Sequence, residues 1–245
     1  MSQDNSTVLM SLSKPKSKVY FITIDGPSGG GKSTLSKHIK ATLALYGIRV
    51  TIVNGDRFYR NAREGENKAT RDYDVPDAFD KDLFITTIHA ILKGEKVKLP
   101  IYSYVLHERL AETDEFDECD VIVLEGILVY WWKEIRECVD LPIYIDVKQE
   151  DCLIRRVKRD VRERGRTMES VFDQYKQTVA PAFETFIQPL KKIISEKGIV
   201  VPKGGNTING YNNVIGRIGW DLGLNLGKLR NLLTQNQTCV NEVTE

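Results

Sequence analysis

The stretch Gly26-Pro-Ser-Gly-Gly-Gly-Lys-Ser-Thr34 constrains this chain more than any other feature. It fits G-x-x-x-x-G-K-[ST], a loop that wraps an anion with its backbone. An apolar run, Val19–Ile24, precedes it and reads as a buried strand, and Leu35–Leu45 follows and reads as a helix. In that context the pattern has physical meaning. Glycines let N–H groups converge on a phosphate without Cβ clashes, and the helix start adds unpaired donors and the positive end of its dipole. Lys32 is expected to reach the terminal phosphates of a nucleotide such as ATP, and the Ser33 hydroxyl to hold Mg2+. Gly26, Pro27, Ser28, Gly29, Gly30, Gly31 and Thr34 complete the expected nucleotide loop.

Strands and helices alternate beyond the loop. Arg49–Val53 reads as a strand ending at Asn54-Gly-Asp56, Val121–Leu124 as one ending at Glu125-Gly126, and Leu141–Asp146 and Ile199–Val201 as two more. Val97–Leu106 is β-like and broken by Pro100. Helical spacing covers 77–92 and 149–164, and Phe183, Phe186, Ile187, Leu190, Ile193 and Ile194 form a further helical stripe. This order predicts an α/β fold: a doubly wound, mainly parallel sheet with helices on both faces. Such sheets bind ligands at the carboxyl ends of their strands. Asp56 and Glu125 lie at that edge, beside the glycine loop. Asp120 precedes its strand and falls about 16 Å away at roughly 3.3 Å per residue. A carboxylate at that edge can accept a proton from an attacking hydroxyl or hold Mg2+ through water. Read alone, each acid fits a helix N-cap or a solvated loop equally well.

Arg155, Arg159, Arg162 and Arg166 are spaced so that a helix would put them on one face. That face can be a solvated one, a nucleic-acid patch, or a lid over a transferring phosphoryl group. A net charge of +1 argues against nucleic acid. Guanidinium groups suit a lid at about 155–168, being planar, always charged and bidentate. No apolar run reaches the length of a membrane span. The four cysteines show no C-x-x-C spacing, which suggests neither zinc nor redox chemistry and fits reduced thiols in a cytoplasmic protein. His38 and His89 read as surface or packing residues. Residues 1–17 and 234–245 read as disordered ends of a single domain, 18–233. Gly219, Gly223 and Gly227 recur every fourth residue and predict a helix stripe suited to close packing, between subunits.

Further stretches carry a resemblance. They are Asp56-Arg-Phe-Tyr59-Arg, Tyr73-Asp74-Val-Pro-Asp77-Ala-Phe-Asp80, Pro100-Ile-Tyr102-Ser-Tyr104-Val-Leu-His107, Leu124-Glu125-Gly126-Ile127-Leu128, Arg155 to Arg166 with its Arg164-Gly-Arg166 end, and Asp173-Gln174-Tyr175. In this order, from about Val19 to Asn206, the chain resembles the uridine–cytidine kinases among the P-loop kinases. The resemblance implies a P-loop NTPase fold with a β-hairpin substrate element and an arginine-rich helical lid. It implies transfer of the γ-phosphoryl group of ATP, or GTP, to the 5′-hydroxyl of uridine or cytidine in pyrimidine salvage, by a cytoplasmic homo-oligomer, a tetramer. Asp56 looks like the general base, and Glu125 like the acid that holds Mg2+ through water. Asp74, Arg166 and Gln174 match ribose-binding positions. Tyr102 and His107 look like the readers of the pyrimidine's exocyclic group, and Tyr59, Tyr73 and Tyr104 like aromatic walls. Arg156 matches a substrate contact, and Arg159 and Arg164 resemble lid arginines acting with Lys32 near the phosphates. Asn206 stands where the family often has an acid near the donor's adenine, and Lys203 replaces a common arginine.

Under strict strand alternation Tyr102 and His107 would face opposite ways, so the resemblance requires a turn or bulge between them. Competing readings are a kinase for nicotinamide riboside, pantothenate or ribulose phosphate, and a nucleotide-binding regulator without an acceptor. The Tyr102–His107 stretch decides against the first through the resemblance. The presence of Asp56, Lys32, Arg159 and Arg164 weighs against the second. A GTPase switch would need Asn-Lys-x-Asp, and Asn67-Lys68 lacks the Asp.

Overall fold

A computed structural model describes residues 18–68, 70–116, 118–202, 208–225 and 227. The expectations for 1–17, Lys203, Asn206 and 234–245 lie outside the described residues.

The apolar runs form a parallel sheet of five strands in the order β2-β5-β1-β6-β7. These are β1 (Tyr20–Asp25), β2 (Val50–Asn54), β5 (Val121–Glu125), β6 (Leu141–Asp146) and β7 (Ile199–Pro202). Alternate residues of one strand feed opposite layers, as the pleat requires. Phe21, Ile122 and Leu124 pack with Phe84, Ile88 and Leu190 on one face. Ile22, Ile24, Val121 and Val123 pack with Leu35, Ile39 and Val214 on the other. Helix α1 (Lys32–Ala44) and α8 (Ile208–Asp221) cover the second face, while α2 (Lys81–Leu92) and α7 (Gln188–Ser195) cover the first. Both faces are covered, so the central strands β1, β5 and β6 read as continuous apolar runs.

Register sets the active edge. Ile24 and Asn54 both pair with Glu125, so β1, β2 and β5 end side by side. Asp120 lies at the other end and is bound by Arg49. The short α3 (Lys133–Arg136) connects β5 to β6, and α4 (Gln149–Glu163) follows β6. Beyond α4, α5 (Met168–Gln174) continues through a π turn (Tyr175–Val179), α6 (Ala180–Ala182) and a second π turn (Phe183–Ile187) into α7.

Several expectations change. The helix expected over 77–92 begins at Lys81, because Asp80 caps it by accepting from the Leu83 N–H; Pro76–Ala78 forms a separate 3-10 turn. Val97–Leu106 is one arm of an antiparallel hairpin, β3 (Lys98–Ser103) with β4 (Glu108–Glu115). Sequence pattern did not place β4, because Glu108-Arg-Leu-Ala-Glu-Thr-Asp-Glu115 buries no residue fully and so lacks apolar alternation. Helix α4 stops at Glu163, so Arg166 is off the helix, and Arg162 is exposed; the expected four-arginine face does not form. The buried face of α4 is instead Cys152, Arg156 and Asp160. The glycine stripe also breaks. Gly219 is buried inside α8, but Gly223 (φ 65°) lies past its end, where Leu224 N–H closes on the Gly219 carbonyl at 2.8 Å. Gly223 ends the helix, as left-handed glycine does.

Candidate active site

The phosphate loop runs from the end of β1 into α1. Gly31 takes the left-handed conformation (φ 97°) as the N-cap of α1, and the Gly30 N–H closes on the Pro27 carbonyl at 3.0 Å. Gly29 (φ 80°) is the tightest position: a Cβ there would lie 2.4 Å from the Cys152 carbonyl oxygen of α4. The loop is thus clamped between α1 and α4. Lys32 Nζ donates to the carbonyls of Gly26 and Pro27 at 3.0 and 2.9 Å. Withdrawal from water lowers the Lys32 pKa, while Glu125, Asp56 and Asp25 nearby oppose that shift.

A cleft of about 330 Å³ opens at this edge. Ser28, Gly29, Gly31, Lys32, Ser33, Thr34, Asp56, Glu125, Arg159 and Arg164 line its phosphate end. Tyr59, Tyr73, Asp74, Tyr102, Tyr104, His107, Arg156, Arg166 and Gln174 line the rest. Gly26, Pro27 and Gly30 shape the loop from behind and do not face the cleft. Apart from these three, and from Asn206 outside the described residues, the site residues named from the sequence share one cavity.

Local geometry explains each placement. Asp56 follows β2 in a 3-10 turn (Gly55–Phe58), where the Asn54 side chain accepts from its N–H at 2.8 Å. Tyr104 O–H donates to Asp56 Oδ2 at 2.8 Å, and the Arg164 guanidinium lies 4.0 Å over the Tyr104 ring. Tyr104, expected as an aromatic wall, thus also orients a carboxylate. Ser33 Oγ donates to both oxygens of Glu125, at 2.7 and 2.9 Å. Burial raises the Glu125 pKa, and the Ser33 hydroxyl and Lys32 pull it back. A hydroxyl and a carboxylate together at the helix start are hard oxygen donors, the set Mg2+ prefers.

The hairpin tip resolves the facing of Tyr102 and His107. Its register shifts between Pro100 and Tyr102, and His107 turns back with φ 53°. The His107 ring stacks on Tyr73 at 5.5 Å, and Tyr102 meets Tyr59 edge-on at 5.3 Å. Burial, then Arg166, Arg164 and Lys68, lower the His107 pKa, which keeps the imidazole neutral at pH 7. At the far wall Gln174 Oε1 accepts from Arg166 and, at 3.0 Å, from Arg156. Arg156 Nη1 sits 3.9 Å from Asp74, whose carboxyl burial pushes upward in pKa.

Two acids escaped the sequence reading. Asp25 closes β1, is fully buried, and accepts the Tyr130 N–H at 2.8 Å. Its place directly before the loop was the available signal. Asp160 is fully buried among Arg156, Arg159 and Arg164. The i±4 spacing from Arg156 and Arg164 could have found it.

A glycine loop between a parallel strand and a helix, facing two carboxylates and an arginine lid, defines a P-loop phosphotransferase. The model of the phosphoribulokinase/uridine kinase family matches residues 21–206. The chain belongs to that family. It is 40% identical over 191 residues to uridine-cytidine kinase A of Dictyostelium discoideum, covering 78% of this chain and 37% of that protein. It is 40% identical over 188 residues to the uridine kinase of Shewanella sp. (strain ANA-3), covering 75% of this chain and 87% of that one. A crystal structure of a candidate fructose transport system kinase from Silicibacter sp. TM1040 superposes with a TM-score of 0.62 at 24% identity, covering 78% of this chain and 92% of the other. That likeness concerns the fold.

Proposed function

We propose that this protein transfers the γ-phosphoryl group of ATP to the 5′-hydroxyl of uridine and cytidine. The observation that carries the reading is the single cleft joining the phosphate loop, Asp56 and the aromatic hairpin tip. Asp56 accepts the hydroxyl proton as the oxygen attacks the γ-phosphorus, and ADP leaves with the bridging oxygen. Tyr104 holds the Asp56 carboxylate in place for that transfer. Lys32, Arg159 and Arg164 offset charge on the transferring group. Asp74, Arg166 and Gln174 hold the ribose. The base lies among Tyr59, Tyr73 and Tyr102, with neutral His107 reading its edge as donor or acceptor.

Ser33, with Glu125 through water, would hold Mg2+. Bound there, the ion neutralises phosphate charge. No covalent intermediate is needed, so the rate rests on positioning and electrostatics. The names and identities of the Dictyostelium and Shewanella relatives support this choice of acceptor. Among the described residues no helix is long and apolar enough to cross a membrane. A cytoplasmic homo-oligomer completes the reading.

The test is a substrate panel with Mg-ATP: uridine, cytidine, nicotinamide riboside, pantothenate and ribulose phosphate, each product separated and identified. Formation of UMP and CMP is expected. Activity on pantothenate or ribulose phosphate with none on uridine overturns it.

A further inference from the structure

Four of the five arginines that line the cleft, Arg155 excepted, share one partner. Asp160 is 0% exposed. Its Oδ1 accepts from Arg159 Nε at 2.8 Å and lies 2.8 Å from Arg159 Nη2 and 3.4 Å from Arg164 Nη1. Its Oδ2 lies 3.6 Å from Arg156 Nε. Its backbone carbonyl, at the end of α4, accepts the N–H groups of Arg164 and Arg166, both at 3.2 Å. The side chain and carbonyl of one residue therefore fix four arginines at the point where the helix gives way to the Arg164-Gly-Arg166 turn.

Charge and connectivity say what this is for. A buried carboxylate requires partners. One carboxylate cannot neutralise three guanidinium groups, so a net positive charge remains on the side that faces the cleft. Arg156 has further partners in Gln174 and Asp74 and stays tied to the ribose end without Asp160. Arg159 reaches onward to Ser28 Oγ of the phosphate loop at 3.4 Å, and Arg164 to the Tyr104 ring that orients Asp56. Asp160 thus sits behind the two arginines that look toward the phosphates.

We propose that Asp160 is a positioning residue for phosphoryl transfer, presenting Arg159 and Arg164 to the phosphates as one rigid pair. This rests on the phosphotransferase reading above. Displacing charge-stabilising groups by about 1 Å costs on the order of a hundredfold in rate.

The experiment measures steady-state kinetics of the full chain with Mg-ATP and uridine, for the wild type, Asp160→Asn, Arg159→Ala and the double variant. Asp160→Asn is expected to lower kcat by about 100-fold and to leave the uridine KM within about threefold. In the Arg159→Ala background the same change is expected to cost less than about fivefold more, because residues acting as a unit are not additive. A kcat within about threefold of wild type, a rise in uridine KM alone, or losses that multiply in the double variant would each overturn the proposal. Should Asp160→Asn not fold, the wild-type protein decides by NMR. The Arg159 Nε–H resonance, assigned with Arg159→Lys, is expected to be resolved and slow to exchange, and a fast-exchanging signal merged with the exposed arginines overturns the proposal. Wild-type protein that forms no UMP from uridine refutes the nucleoside reading instead, and the same NMR measurement still judges Asp160.

Discussion

Asp25 and Gly29 show how much single positions carry. Burial pushes the Asp25 carboxyl up to about 7, with Lys32 and the Tyr130 N–H opposing the shift. In the unfolded chain it titrates near 3.9. Between those values the folded state binds the extra proton, so this group's contribution to stability falls as pH rises through that window and is lowest above 7. Urea unfolding at pH 5 and pH 8 should therefore show Asp25→Asn gaining about 2–3 kcal/mol relative to wild type across that range. A pH-independent difference would contradict the assignment. Gly29 and Gly65 share left-handed backbones (φ 80° and 77°), but a Cβ at Gly65 meets nothing within 4 Å. Alanine at Gly65 should cost about 1 kcal/mol, the ordinary left-handed penalty. Alanine at Gly29 should cost more, since it also strikes the Cys152 carbonyl, and should raise the KM for ATP. Equal losses of stability in thermal melts, with ATP binding intact in both, would show that α4 does not clamp the loop.

Among the elements, the hairpin brings Tyr102, Tyr104 and His107 to the cleft, and on the proposed function these meet the acceptor. His107→Ala should raise the nucleoside KM about tenfold or more, the worth of one good hydrogen bond, with kcat little changed. Because the imidazole titrates below its ordinary value, the rise of the wild-type KM on acidification should set in at lower pH than an ordinary histidine would give. An unchanged KM in the variant would return His107 to simple packing on Tyr73. Much of this was legible beforehand for a physical reason. Strands β1, β5 and β6 are buried on both faces and announce themselves as apolar runs, and the glycine loop has few alternatives to its geometry. Strand β4 was not legible, since its exposed residues follow hydrogen bonding to β3 rather than a core. Nor were the π turns at Tyr175–Val179 and Phe183–Ile187, which leave the apolar stripe of the segment intact. The span of α4 was legible to within one residue, 164 against Glu163, but the arginine face extended past it; Gly165 (φ 65°) follows the last turn and breaks the face before Arg166.

The whole molecule works by converging strand ends. Neither Asp25, Asp56 nor Glu125 is near the others in sequence, and parallel register puts β1, β2 and β5 in one row. That convergence was readable from the order of elements, because parallel sheets place ligands at their carboxyl edge. The tuning was not readable: the Tyr104 bond to Asp56 and the burial of Asp160 among arginines depend on contacts between distant segments. On the proposed function, a nucleotide in the glycine loop faces an acceptor hydroxyl beside Asp56. The most direct measurement is the rate at which wild type and Asp56→Asn form uridine 5′-monophosphate from uridine and Mg-ATP, with the phosphorylated position identified by 31P NMR. We expect the 5′-phosphate from wild type, and from the variant a kcat lower by about 100-fold or more with a nearly unchanged uridine KM. A variant with near-normal turnover, or a product phosphorylated elsewhere on the sugar, would contradict it.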